Sequence, residues 1–206
     1  QPTGGAANTD YYLYNPQSSA ITIDWEARSG TGSFAIPANS TVSFRAATAG
    51  SVPVDSGLYL KGSDVFWGVG VGDAGSNAYE WGYSLLPSTF LYTEHFLGWA
   101  PGSVPVDTAG NPGDQANDGV FLTVAQDNTR VFVDFNNDGT ADLIDADLDG
   151  TPESAYVTLN RLQTQFFYDP ANAAGGGDLS RAHFWATGTF TMAYGENADT
   201  APPSTP

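Results

Sequence analysis

AITIDWE, residues 20–26, places Ile21, Ile23 and Trp25 in alternation with Thr22, Asp24 and Glu26. A period of two is the mark of a half-buried β-strand. Working outward, Val42 with Phe44, and then Val65, Trp67, Val69 and Val71, repeat the alternation. That phase assigns Trp25 and Trp67 to the core. Turn formers separate the runs at Ser29-Gly30-Thr31-Gly32, Pro37-Ala38-Asn39-Ser40 and Gly72-Asp73-Ala74-Gly75. No segment carries helical periodicity, and the chain reads as all-β.

The same stretch aligns with RVFVDFN, residues 130–136, at an offset of 110: Ile21 on Val131, Ile23 on Val133, Asp24 on Asp134, Trp25 on Phe135. From residue 33 onward the offset is 123, which lays Phe34 on Val157, Ile36 on Leu159, Phe44 on Phe167, Asp55 on Asp178 and Trp67 on Phe190. Raising the offset from 110 to 123 is a single insertion of 13 residues. A slip of one residue would turn every side chain to the opposite face, so alignment in phase points to duplication. The expected architecture is two internally duplicated β-sandwich-like halves packed as one body. Its divisions are an N-terminal extension 1–10, a first half 11–115, a second half 116–197 and a Pro/Thr-rich tail or linker 198–206. Segment 78–100 completes the first copy and has no counterpart after the second. It either bridges both copies, or the second is completed by a strand from another subunit.

The insertion lies in DFNNDGTADLIDADLDGTPE, residues 134–153, which holds seven carboxylates and no Lys or Arg. Such a run repels itself unless a hard cation neutralises it. Asp134, Asn136, Asp138, Gly139, Thr140, Asp142 and Asp145 fall at positions 1, 3, 5, 6, 7, 9 and 12 of the oxygen-ligand calcium loop. A second copy starts on Asp145, with Asp147, Asp149, Gly150, Thr151 and Glu153, and places Tyr156 at its twelfth position. One or two Ca²⁺ ions are therefore expected in a hairpin inserted in the second half. Asp114, Asn117 and Asp118 make a weaker acidic turn, and Asn39-Ser40-Thr41 is a glycosylation sequon by pattern.

Formal charge is -17, from 23 acids against six basic residues. No basic surface is available for phosphates, so nucleic acid is not an expected partner. Nor is membrane insertion, because no apolar run approaches the ~20 residues of a spanning helix. Cysteine is absent, which excludes disulfides and thiolate metal sites. A polar, Gly-rich start without a signal peptide suits a mature fragment or an excerpt. The acidic, Lys-poor texture and weak oxygen-ligand loops suit an extracellular, secreted or cell-surface setting with ~1 mM calcium.

The chain resembles the IgG-Fc-binding-protein N-terminal-like β-domain of bacterial repeat-containing surface proteins. The stretches that carry the resemblance are NTDYYLYNP, FAIPANSTVSF, VFWGVGVGD, FLGWAPG, VAQDNTRVFVDFN, VTLNRLQTQFF and RAHFWATGTFTMAYGENADTAPP, spanning residues 8–203. The double acidic loop is similar to thrombospondin type 3 and dockerin calcium repeats. The resemblance implies an extracellular structural or adhesive domain, with neighbouring domains or identical subunits of a surface filament as partners. It implies no catalytic residue and no IgG binding.

An enzyme is not expected. Of the two histidines, His95 has no acidic partner at a fixed spacing and His183 lies beside core aromatics as a packed or half-exposed strand residue, and no phosphate loop, HExxH or nucleophile elbow is present. Lys61 is the sole lysine, which allows at most one isopeptide crosslink. The alternative function is a carbohydrate-binding module of a secreted protein, with Trp81, Trp99 and Trp185 as stacking platforms. Coplanar exposed rings would favour glycans; buried ones, a scaffold.

Overall fold

The computed structural model describes residues 9–50, 56–72, 81–100, 118–148, 150–170 and 178–196. Thirteen strands form three antiparallel sheets, and the only helical pieces among the described residues are two short ones. The all-β, sandwich-like expectation holds.

The N-terminal unit stacks two sheets. One has the order β4 (Ser40–Ser43), β1 (Asp10–Asn15), β6 (Trp67–Gly72), β7 (Trp81–Ser84); the other is β3 (Gly30–Ile36), β2 (Ile21–Ala27), β5 (Leu58–Gly62). Between them lie Tyr11, Leu13, Ile21, Ile23, Ala27, Ile36 and Phe44, with Trp25 packed at the margin. Phe44 does not continue β4. Its predecessor Ser43 caps the helix α1 (Phe44–Thr48), its Oγ accepting from the Ala46 N–H at 3.1 Å. The turn drops the Phe44 ring edge-on against Tyr11, Trp25 and Phe34, closing one end of the sandwich.

β6 corrects the sequence reading. Trp67, expected inside, is 68% exposed, and Val69 is 44% exposed. The inward positions are glycines. A Cβ on Gly68 would lie 2.5 Å from Leu85 Cδ1, and one on Gly70 would lie 2.6 Å from Tyr83 Cζ. Side chains of β1 and β7 fill the space the glycines leave, so alternation gave the period of β6 with its phase inverted.

The second unit joins β11 (Val157–Leu159), β10 (Thr129–Asp134), β13 (His183–Glu196), β9 (Asp118–Val124) and β12 (Thr164–Phe167) in that order, with β8 (Tyr92–Phe96) also on β13. β13 pairs with β10 through residues 183–186 and with β9 through 190–196. At the bend between, a Cβ on Gly188 would meet Gln126 Oε1 at 2.6 Å, and the same Oε1 accepts from the Thr189 N–H at 2.7 Å. Val120, Leu122, Val131, Val133, Phe184 and Phe190 are central to the core.

β8 falls inside the interval assigned to the first half, yet it completes the second unit's sheet. Within segment 78–100, β7 pairs with β6 and β8 with β13, so its described part contributes a strand to each unit. The aligned hairpins β2–β3 and β10–β11 are both present but in different registers: Ile21 lies opposite Ile36, whereas Val131 lies opposite Val157, the residue aligned with Phe34. The next aligned strands part company: β6 pairs with β1 and β7 in a separate sheet from β2, whereas β13 pairs directly with β10. The strand pairing thus repeats only the hairpin. Asp55 of the alignment lies outside the described residues, as does the tail from residue 197.

A short seam joins the units. Arg161 donates to Glu26 at 2.5 and 3.2 Å with its guanidinium over Tyr59, and the Gly57 N–H donates to the Leu162 carbonyl at 2.7 Å. No described helix is long and apolar enough to cross a membrane.

Candidate metal centre

The acidic stretch connects β10 to β11, as its place in the hairpin predicts. It contains the same turn twice, 11 residues apart. In the first, Asn137 has φ +58° and Gly139 φ +91°; in the second, Leu148 has φ +64° and Gly150 φ +92°. The glycines occupy the left-handed region that a Cβ disfavours. In each turn the leading aspartate accepts from the glycine five residues on: Asp134 Oδ2 from the Gly139 N–H at 2.7 Å, and Asp145 Oδ2 from the Gly150 N–H at 2.8 Å. Both aspartates are buried, being at most 1% exposed. The D-x-x-x-x-G spacing therefore does what a cation loop requires of its backbone.

The carboxylates are used differently. Asp134 takes a second backbone bond at its other oxygen, from the Asp138 N–H at 3.1 Å. Asp138 turns back to the Thr140 N–H at 2.9 Å, and Asp142 accepts from the Phe135 N–H at 2.7 Å. Asn136, Asp138 and Thr140 are exposed. These acids of the first copy do not converge. Those of the second do: oxygens of Asp145, Asp147 and Glu153 all lie within 4.8 Å of one another, the one such group among the described residues. Asp149 lies outside the described residues; Thr151 is exposed beside the group. Tyr156 is no ligand. Its ring packs on Phe132 at 5.6 Å beneath the Arg130 guanidinium.

What converges the second copy is anchorage beyond the loop. Ile144, 1% exposed, enters the core and bridges to Ser154, so both ends of segment 145–153 are held together. The Tyr168 hydroxyl donates to Asp145 Oδ2 in a short bond. Gln165 Nε2 donates to the Ala146 carbonyl at 3.0 Å, tying the loop to β12. Glu153 Oε2 accepts from the Ala146 N–H at 3.2 Å, which folds its side chain back over the turn. Neither Tyr168 nor Gln165 was expected; they stand 23 and 19 residues from their partners, without a motif to connect them.

Three carboxylates at this separation repel by ~1 kcal/mol per pair in water and more at a partly buried site. An all-oxygen donor set with net negative charge is the chemistry a hard cation takes. The group could hold a metal ion.

The other expected sites are dispersed. Asp114 and Asn117, and the side chains of Asp118 and Trp81, lie outside the described residues. Trp99 is 81% exposed. Trp185 stacks on Phe132 at 5.5 Å and 6° and has His183 at 4.8 Å, tilted by 31°; His183 in turn stacks on Phe96 at 4.1 Å and 5°. Trp185 and His183 are half-buried in this group, and Phe96 is 58% exposed. His183 Nε2 lies 2.8 Å from Glu94 Oε1. His95 sits edge-on to Phe190 at 4.9 Å, and burial lowers its pKa against a weaker opposing hydrogen bond to the Phe190 backbone. Comparison with family models, with curated proteins and with solved structures yields no match, so the centre is read from its own chemistry.

Proposed function

We propose that this chain is a non-enzymatic, calcium-stabilised structural or adhesive domain of an extracellular, cell-surface or filament-forming protein. The observation that carries the reading is the convergence of Asp145, Asp147 and Glu153 on a loop braced by Ile144 and Tyr168. Those three would hold the ion, and backbone carbonyls and water would complete a flexible coordination of six to eight oxygens, which suits Ca²⁺ better than the smaller, rigidly octahedral Mg²⁺. When bound, the ion supplies charge neutralisation to a loop that is otherwise purely anionic. A site with only three carboxylates on a surface loop belongs to the weak range of calcium affinities, matched to ~1 mM calcium outside cells. The resemblance to surface-protein β-domains and the charge of -17 support the same setting. Both histidine rings are packed against aromatic neighbours, an arrangement that favours scaffold over catalyst.

Thermal melting in EDTA and in ~2 mM Ca²⁺, with a calorimetric titration against Ca²⁺ and Mg²⁺, tests the reading. Stabilisation of about 1–3 kcal/mol by Ca²⁺ is expected from mass action, with a smaller response to Mg²⁺. Identical melting curves and no binding heat would refute it.

A further inference from the structure

The outer face of the β4-β1-β6-β7 sheet carries a stripe of exposed apolar side chains. Tyr12 and Tyr14 project from β1, with Val69 and Trp67 opposite them on β6. They are 44%, 40%, 44% and 68% exposed. Among the described residues, no other ring stacks on Tyr12, Tyr14 or Trp67, and neither the two phenol hydroxyls nor the indole N–H has a hydrogen-bond partner. The stripe is flanked by hydroxyls in register: Thr41 and Ser43 of β4 lie opposite Tyr14 and Tyr12, and Ser84 of β7 lies opposite Val69. Beyond Tyr12 the surface dips into an open depression of about 440 Å³ lined by Asp10, Ser43, Arg45, Ala46, Ala49 and Gly50.

This face is built, not left over. Gly68 and Gly70 give up the inward side of β6 to neighbouring side chains, so its bulky residues all point outward. With aromatic side chains of ~150–250 Å² exposed to the fractions given, the apolar stripe offers on the order of 300–400 Å² of accessible surface. That falls well short of the ~800 Å² per partner of a stable protein–protein interface, which argues against a second copy of the chain. Open ring faces edged by polar groups match a molecule that is itself apolar on its flat faces and hydroxylated around its rim. A pyranose ring has that form. The charge of -17 disfavours polyanions.

We infer that Tyr12, Tyr14 and Trp67 form a stacking platform for an uncharged, pyranose-based glycan, with the Thr41 and Ser84 hydroxyls and the Asp10–Arg45 depression reading its rim. This goes beyond the calcium reading and is independent of it.

Affinity electrophoresis of the whole chain tests it, through gels containing hydroxyethylcellulose, xyloglucan or galactomannan, with heparin and alginate as charged controls, each in Ca²⁺ and in EDTA. Retardation by at least one neutral polymer is expected. It should weaken about tenfold in Trp67→Ala, or ~1.4 kcal/mol of binding, and less in Trp67→Phe, with melting temperature unchanged. Retention should be equal in Ca²⁺ and EDTA wherever the fold persists, so a failed calcium titration and a failed glycan assay remain separate results. Three outcomes would overturn the inference: no retardation by any neutral polymer, retention unaltered in both Trp67→Ala and Tyr14→Ala, or self-association in sedimentation that Trp67→Ala abolishes.

Discussion

The turn that begins at Asp134 and the turn that begins at Asp145 share a backbone but differ in how closely carboxylates gather around the leading aspartate. In the first, both oxygens of a buried aspartate accept backbone N–H groups, and Asp138 and Asp142 accept from the Thr140 and Phe135 N–H groups of the same loop, the latter bond matched in the second by Ala146 to Glu153. In the second, one oxygen takes both the glycine N–H and a tyrosine hydroxyl, and two further carboxylates close in around it. Position in a loop pattern thus decides where the chain turns. Which carboxylates gather is decided by what lies beneath, here Ile144, Gln165 and Tyr168.

The comparison breaks or sharpens under substitution. The largest effect is predicted for Asp134→Ala, which strands two N–H groups around a fully buried side chain. A loss of ~2–4 kcal/mol is expected in chemical denaturation, equal in EDTA and in Ca²⁺. A loss seen only with calcium present would make Asp134 the ligand and erase the distinction between the turns. Next comes Asp147→Asn combined with Glu153→Gln. The pair should abolish the calcium-dependent increment of about 1–3 kcal/mol while leaving stability in EDTA unchanged or slightly raised, because repulsion is relieved. A calcium response that survives the pair would place the ion elsewhere. Smallest is Tyr168→Phe, which removes one donor from Asp145 and should cost ~1–2 kcal/mol together with a several-fold weaker calcium affinity in titration. An unchanged titration would show that the brace does not position the site.

Much of this was legible in the residues. Alternation at Ile21, Ile23 and Trp25 identified a strand with Ile21 and Ile23 at its core-facing positions, and the glycine spacing identified both acidic turns, because each signal is local. What was not legible depends on neighbours far away in the chain. Trp67 was assigned inward since alternation carries no sign, and only Tyr83, Leu13 and Leu85 reveal that glycines suit the inner side. Alternation makes Phe44 a strand residue, because Ser43 reads equally well as strand or cap until Asp10 accepts from its hydroxyl and from the Arg45 N–H. The choice between the two acidic turns rests on Tyr168, which no spacing rule connects to Asp145.

The continuity of β13 has a mechanical side. Its 14 residues bond to β8, β9 and β10 across the bend at Gly188. A pull along that strand loads the β10 bonds at residues 183–186 and the β9 bonds at 190–196 in shear, so a nick near Gly188 would separate the two sets.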